Sequence, residues 1–184
     1  MHSDKALLLN ALKEVGSIKR GVFRLSSGGV SDIYIDIRLV YSKPRCLAII
    51  VRSMEKTLSK IVYDYICGIP TGGLPLASAL AFKLNKPLIY VRKMPKEYGT
   101  QRIVEGIEGS LEGVKVVIVD DVITTGTSVM SAIRALRKLG ARVDDVAVVV
   151  NRSKNKELLI NEGIRLHSLL RIEEIRELIW RGQI

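Results

Sequence analysis

The chain has 184 residues, 47% of them hydrophobic and 26% charged, with a formal net charge of +10. That length suits a single domain with a real core, and the composition is that of an ordinary soluble globular protein. No apolar run is long enough for a membrane span and no charged-then-apolar leader opens at Met1, so a cytoplasmic protein with no membrane partner is expected.

A basic excess admits two kinds of partner, nucleic acid or polyanionic small molecules. Nucleic-acid binders gather their charge in a stripe or a recognition helix. Here it is spread along the chain, with one knot at Arg92, Lys93 and Lys96, which favours small anions over nucleic acid. The two cysteines, Cys46 and Cys67, stand in no metal-ligand spacing and read as small core residues of a reduced protein.

In chain order, leucines at helical spacing mark a helix over residues 4–15, ended by Gly16. "GVFRLSSGGVSDIYIDIR" holds two β-prone runs around a Ser/Gly turn and reads as a hairpin. Pro44 sits near the start of an amphipathic helix that runs to Lys60. From there the pattern is strand, loop, helix, repeated. Strands are expected in "DYICGI", "PLIYVRK", "VKVVIVDD", "DDVAVVVNR" and "IRLHSLLR". Helices are expected in "LPLASALAFKL", "SVMSAIRALRKLG", "KNKELLINEG" and "IEEIRELIWRG". Continuous Val/Ile runs alternating with helices imply a parallel sheet covered on both faces. His167 reads as a strand residue and Trp180 as a packing anchor of the last helix. Residues 94–113 show too little apolar periodicity for a buried element, and glycines at 99, 106, 109 and 113 would let them move, so a functional loop is expected there.

The chemistry concentrates in "VVIVDDVITTGTSVM". A buried strand is expected to stop at two adjacent acids, Asp120 and Asp121, and a short loop then opens a helix. In open parallel sheets ligands bind at the carboxyl ends of strands. The loop from Thr124 to Ser128 offers backbone N–H groups and a positive dipole end to an anion, and Thr124, Thr125, Thr127 and Ser128 add hydroxyls. No Gly-Lys-Ser/Thr and no G-x-G-x-x-G is present, which sets aside the Walker and dinucleotide loops. Carboxylates repel phosphate but accept hydrogen bonds from vicinal hydroxyls. Two acids beside a phosphate cradle therefore suit a sugar 5-phosphate. The plainer alternative is a strand end whose aspartates cap the next turn.

"VVIVDDVITTGTS" resembles the 5-phosphoribosyl 1-diphosphate (PRPP) signature of type I phosphoribosyltransferases. "FRLSSGGVSDIYIDIR", "RKMPKEYG" and the Asn151–Arg152 pair are similar to segments of the orotate phosphoribosyltransferases, and with "GIPTGG" the resemblance spans nearly the whole chain. It implies an α/β type I phosphoribosyltransferase fold: one domain over 1–184, a central, mostly parallel sheet flanked by helices, a small hood mainly from 1–40, and a mobile catalytic loop at about 94–113. The implied reaction is magnesium-dependent transfer of the phosphoribosyl group from PRPP to orotate, with orotidine 5'-phosphate and pyrophosphate as products, in pyrimidine biosynthesis. A purine phosphoribosyltransferase and a PRPP-sensing nucleic-acid-binding regulator are the alternatives. The hood and Arg152 speak against the first, and the absence of a helix-turn-helix pattern before the hood speaks against the second.

The resemblance also implies site roles. PRPP is assigned to Arg92, Lys93, Lys96 and Tyr98, to Thr71, Gly72 and Gly73, and to the signature residues Asp120, Asp121, Val122, Ile123, Thr124, Thr125, Gly126, Thr127 and Ser128. Orotate is assigned to Ser26, Tyr34, Thr124 and Arg152. Lys96, Asp120 and Asp121 carry catalysis, with Lys96 and Tyr98 acting in trans across a homodimer. No protein metal site is expected, because magnesium travels with the diphosphate. The chemistry fits these roles: an Arg fork on a strand end suits a carboxylate on a flat ring, and a cationic lid suits a leaving pyrophosphate. Plainer readings are a surface salt bridge for Arg152, strand packing for Tyr34, a solvated charge run for the lid, and an ordinary strand-to-helix turn for Gly72 and Gly73. The sequence departs from the bacterial pattern at four positions: Ser26 and Gly72 where lysines are expected, Tyr98 where His is frequent, and Asn151 where Asp is expected.

Overall fold

The computed structural model describes residues 2–24, 28–94, 102–153 and 157–182. Six helices and eight strands follow in chain order: α1 (His2–Glu14), β1 (Ile18–Arg24), β2 (Val30–Ile35), α2 (Pro44–Leu58), β3 (Tyr65–Gly68), α3 (Gly73–Leu84), β4 (Leu88–Val91), β5 (Val104–Glu105), β6 (Lys115–Ile123), α4 (Thr127–Arg137), β7 (Arg142–Asn151), α5 (Glu157–Asn161), β8 (Arg165–Arg171) and α6 (Ile172–Trp180). A 3-10 turn, Ile37–Ser42, links the hairpin to α2.

The main sheet has the order β5-β4-β3-β6-β7-β8, parallel throughout except for β5. Its central strands are apolar on both faces, as burial on both sides requires. Val117 and Val119 of β6 and Ala147 and Val149 of β7 join the core under α1, α2, α3 and α6. Val116 and Ile118, with Val146 and Val148, join the core under α4 and α5. Helix α2 shows how the sequence feeds this packing: Cys46, Ile50, Met54 and Leu58 recur every four residues and are fully buried. Burying each of the three larger side chains is worth about 1.5–3 kcal/mol. The hairpin β1–β2 forms a separate antiparallel sheet, its base closed where the Ser17 carbonyl accepts from the Asp36 N–H. Both cysteines are buried and free, and burial pushes the Cys67 thiol up to about 12.

Three expectations change. The strand in the acid-pair stretch does not stop at Asp121: pairing with the longer β7 carries it to Ile123, opposite Asn151. Residues 94–113 are not all loop. Val104 and Glu105 pair antiparallel with β4, and Val104 and Leu111 are buried. A two-residue strand has no period to detect, so the pattern alone misses it. Trp180 is no packing anchor, being 95% exposed. It stands five positions past the buried Ile175, about 140° round the helix. His167 lies on β8 as expected, its Nε2 2.7 Å from Asp145 Oδ1.

Candidate active site

A cavity of about 480 Å³ opens at the carboxyl ends of β3 and β6, under the hairpin. Strand β3 ends in the loop Ile69–Gly73, and β6 ends in the hydroxyl loop. The cavity is where the parallel strands stop supplying each other's hydrogen bonds and leave backbone groups for a ligand. A larger cavity, about 670 Å³, lies between the hairpin and α6 beside the Arg176–Asp32 ion pair. Neither it nor a cavity of about 500 Å³ beside α4 touches those strand ends, which leaves the 480 Å³ cavity as the candidate site.

Of the residues singled out in the sequence, Tyr34, Thr71, Gly72, Lys93, Asp120 and Asp121 line the 480 Å³ cavity. Val122, Thr124, Ser128 and Arg152 line it as well. Asp120, Val122, Thr124 and Ser128 also line an adjoining pocket of about 300 Å³ together with Ile123, Thr125, Gly126 and Thr127. The two spaces thus share a wall. Gly73 sits at the first turn of α3, against Asp120. Arg92 lies aside, its Nη1 3.6 Å from Glu105 and its Nε donating to the Met94 carbonyl at 3.2 Å. Ser26, Lys96 and Tyr98 lie outside the described residues.

The hydroxyl loop is shaped by its own bonds. Gly126 precedes α4 with φ +80°, a left-handed conformation that glycine adopts without penalty. Thr125 Oγ1 lies 2.9 Å from Thr127 Oγ1 and accepts the Thr127 N–H at 3.4 Å. Gly126 gives α4 no side-chain cap, and the first turn of the helix lines the small pocket, which leaves N–H groups of that turn other than that of Thr127 for an anion.

The acid pair is buried to different depths. Asp120 is 7% exposed, and burial, then the neighbouring Asp121, push its carboxyl well above the usual range. Each acid accepts from the backbone just after it: the Asp121 N–H bonds Asp120 Oδ1, and the Val122 N–H bonds Asp121 Oδ1, both at 2.9 Å. Facing them are the two glycines of the β3 loop. A Cβ on Gly72 would strike the Asp121 carboxylate, and one on Gly73 would stand 2.6 Å from Asp120 Oδ1. At position 73 glycine is demanded by the strand backbone beside Asp120, which the strand-to-helix turn reading does not explain; at 72 the neighbour is the Asp121 carboxylate alone. The Pro70–Thr71 peptide between these elements is cis.

Arg152 follows β7 and reaches the hood. Its Nη2 donates to Ser31 Oγ at 2.9 Å and to the Ile33 carbonyl at 3.0 Å. Among the described residues it makes no ion pair, so its charge is not spent on a surface carboxylate. Burial lowers its pKa from the ordinary value. Tyr34 does two things: its ring packs on Phe23 with centroids 5.4 Å apart, and it lines the cavity. Sequence reading missed Arg24, Asp36 and Arg38, which line the cavity too. Only the charges in the "YIDIR" run signalled the last two. Among the described residues no three His, Cys, Asp or Glu gather as a metal cage. The donors on hand are the two adjacent acids, a set that suits an ion carried in by its own ligand rather than one held by protein alone.

The phosphoribosyl transferase domain model matches residues 40–169. The orotate phosphoribosyltransferase of Pyrobaculum aerophilum is 39% identical over 172 residues, covering 92% of this chain and 88% of that protein. The crystal structure of orotate phosphoribosyltransferase from Aeropyrum pernix superposes with TM-score 0.82 at 38% identity, covering 94% of this chain and 98% of that one. Leishmania donovani UMP synthase superposes with TM-score 0.83 at 30% identity; 96% of this chain is covered, and the chain spans 38% of that protein. Shared sequence along almost the entire chain, on a shared fold, means that this chain belongs to the phosphoribosyltransferases and, among them, to the orotate phosphoribosyltransferase family.

Proposed function

We propose that the chain transfers the 5-phosphoribosyl group of PRPP to orotate, releasing pyrophosphate and forming orotidine 5'-phosphate. The observation that carries this is one cavity joining the hydroxyl cradle and acid pair of β6 to Arg152 and Tyr34. The cradle at Thr124–Ser128 takes the 5-phosphate through backbone N–H groups and hydroxyls. Asp120 and Asp121 accept from the ribose hydroxyls, and the sugar bridges the two pockets they share. Arg152, already oriented by Ser31 and Ile33, forks onto the orotate carboxylate, and Tyr34 and Thr124 lie along the ring. Displacement at C1 then needs alignment more than covalent help. Lys93, at the cavity wall, together with Lys96 and Tyr98, supplies charge and donors to the departing pyrophosphate and excludes water. Lys96 and Tyr98 do so from the second subunit of a homodimer. A magnesium ion bound with PRPP, near Asp120 and Asp121, would neutralise part of the diphosphate charge. Among the described residues no helix is long and apolar enough to cross a membrane, and a cytoplasmic setting suits these substrates.

The test is direct. With magnesium and PRPP, the purified protein consumes orotate absorbance and releases pyrophosphate one for one. Turnover of adenine or hypoxanthine with none of orotate would overturn the acceptor. Mixing inactive Lys96→Ala with inactive Asp121→Asn restores activity if the lysine acts in trans; no recovery on mixing overturns that part.

A further inference from the structure

The loop carries Gly72 where a lysine is expected, and the Asp121 carboxylate as it stands occupies the space a side chain there would take. The wall around Gly72 nevertheless faces the end of the cavity away from the phosphate cradle, where the diphosphate of a bound PRPP must lie if its 5-phosphate is in the cradle. Asp121, against Gly72, makes that end acidic, so a diphosphate there requires a cation. Arg38 stands in the same cavity. It belongs to the 3-10 turn Ile37–Ser42, and Tyr41 of that turn donates its hydroxyl to the Gly72 carbonyl. Turn and loop are therefore one unit.

The guanidinium is held in place before any ligand arrives. Nε donates to Asp36 Oδ1 at 2.7 Å and Nη2 to Asp36 Oδ2 at 3.0 Å, with the Tyr34 hydroxyl 3.3 Å from Nη2. Asp36 is the sheltered partner, at 14% side-chain exposure against 52% for Arg38. Nη1 makes no hydrogen bond among the described residues. A fork anchored through two nitrogens and open at the third is a preorganised phosphate donor.

We propose that Arg38 binds the diphosphate of PRPP and the pyrophosphate product, as the cation of the Gly72 loop. This assignment rests on the PRPP reading of the site. It is tested by calorimetric titration of the wild type and Arg38→Gln with magnesium pyrophosphate and, separately, with ribose 5-phosphate. Arg38→Gln should bind pyrophosphate about 10- to 100-fold more weakly, the size of one charge-assisted hydrogen bond, and ribose 5-phosphate unchanged. Equal pyrophosphate affinity in the two proteins overturns the assignment. If the wild type binds neither ligand, the phosphoribosyl reading itself fails, and this assignment with it. A measurement on the wild type needs no variant to fold: magnesium pyrophosphate should slow phenylglyoxal modification of Arg38, read by mass spectrometry, and orotate should not. Labelling of Arg38 at the same rate with and without pyrophosphate overturns the assignment as well.

Discussion

Replacing Gly73 with alanine sets two physical effects against each other. Gly73 is the first residue of α3, where alanine should gain about 0.5–1 kcal/mol over glycine from helix propensity and lost chain freedom. The added Cβ, however, would lie 2.6 Å from Asp120 Oδ1, 2.7 Å from Asp120 Cα and 2.7 Å from the Val119 carbonyl, where ordinary contact begins near 3.4 Å. Two of those atoms are backbone of the central strand and cannot swing aside. Relief requires α3 and its loop to move off β6 by more than half an ångström, and such overpacking costs about 1–3 kcal/mol. The steric effect is the larger, so Gly73→Ala should be net destabilising by about 1–2 kcal/mol. The same shift separates the Gly72 loop from the acid pair, and kcat/KM for PRPP should fall by about tenfold or more. Urea denaturation with an unchanged m-value reads the first quantity and steady-state kinetics the second. A Gly73→Ala protein as stable as the wild type, with unaltered KM for PRPP, would refute the close-approach argument.

Asp120→Asn should do the opposite to stability while removing most activity. A carboxyl raised by burial adds stability below its unfolded pKa and loses it as pH rises through the folded value. The variant's advantage should therefore open with rising pH, to about 1–3 kcal/mol at pH 8, and close in acid; a pH-independent difference contradicts it. Asp145 runs the other way: burial opposes its ionisation, but Arg165 and His167 outweigh that and hold it below the usual carboxylate range. Its contribution is present above the unfolded pKa and lost as pH falls through the folded one. Asp145→Asn should lower Tm by a few degrees at pH 7, and the gap should narrow as pH falls below the usual carboxylate range; a gap that does not change with pH speaks against the pairing. Leu111→Ala, at a fully buried position between β5 and β6, should lose about 2–4 kcal/mol in urea denaturation, and a loss below about 1 would place that segment outside the core.

The repeating strand–helix order was legible because each buried strand is a run of Val and Ile and each helix carries its apolar stripe at a fixed period. The cradle and acid pair were legible because one continuous segment, Asp120 to Ser128, contains both. Trp180 was misread because its size was weighed ahead of its spacing, which sets it about 140° round the helix from the buried Ile175. Strand β5 was missed because two residues make no pattern, and its burial depends on the edge of β4 being there to pair with.

What the sequence by itself determined is therefore what local order can encode: the alternation that builds a parallel sheet, the donor loop after β6, and the family resemblance that named orotate. Only the tertiary structure decided which distant groups meet. It set Gly72 and Gly73 against Asp121 and Asp120 from a different strand, tied Arg152 to Ser31 across 121 positions, and brought Arg38 to the cavity wall. The physical reason is that a carboxylate fixes no partner along its own chain. Its neighbours are whatever the packing of β3, β6 and the hood leaves within reach, and that packing is a property of the whole core.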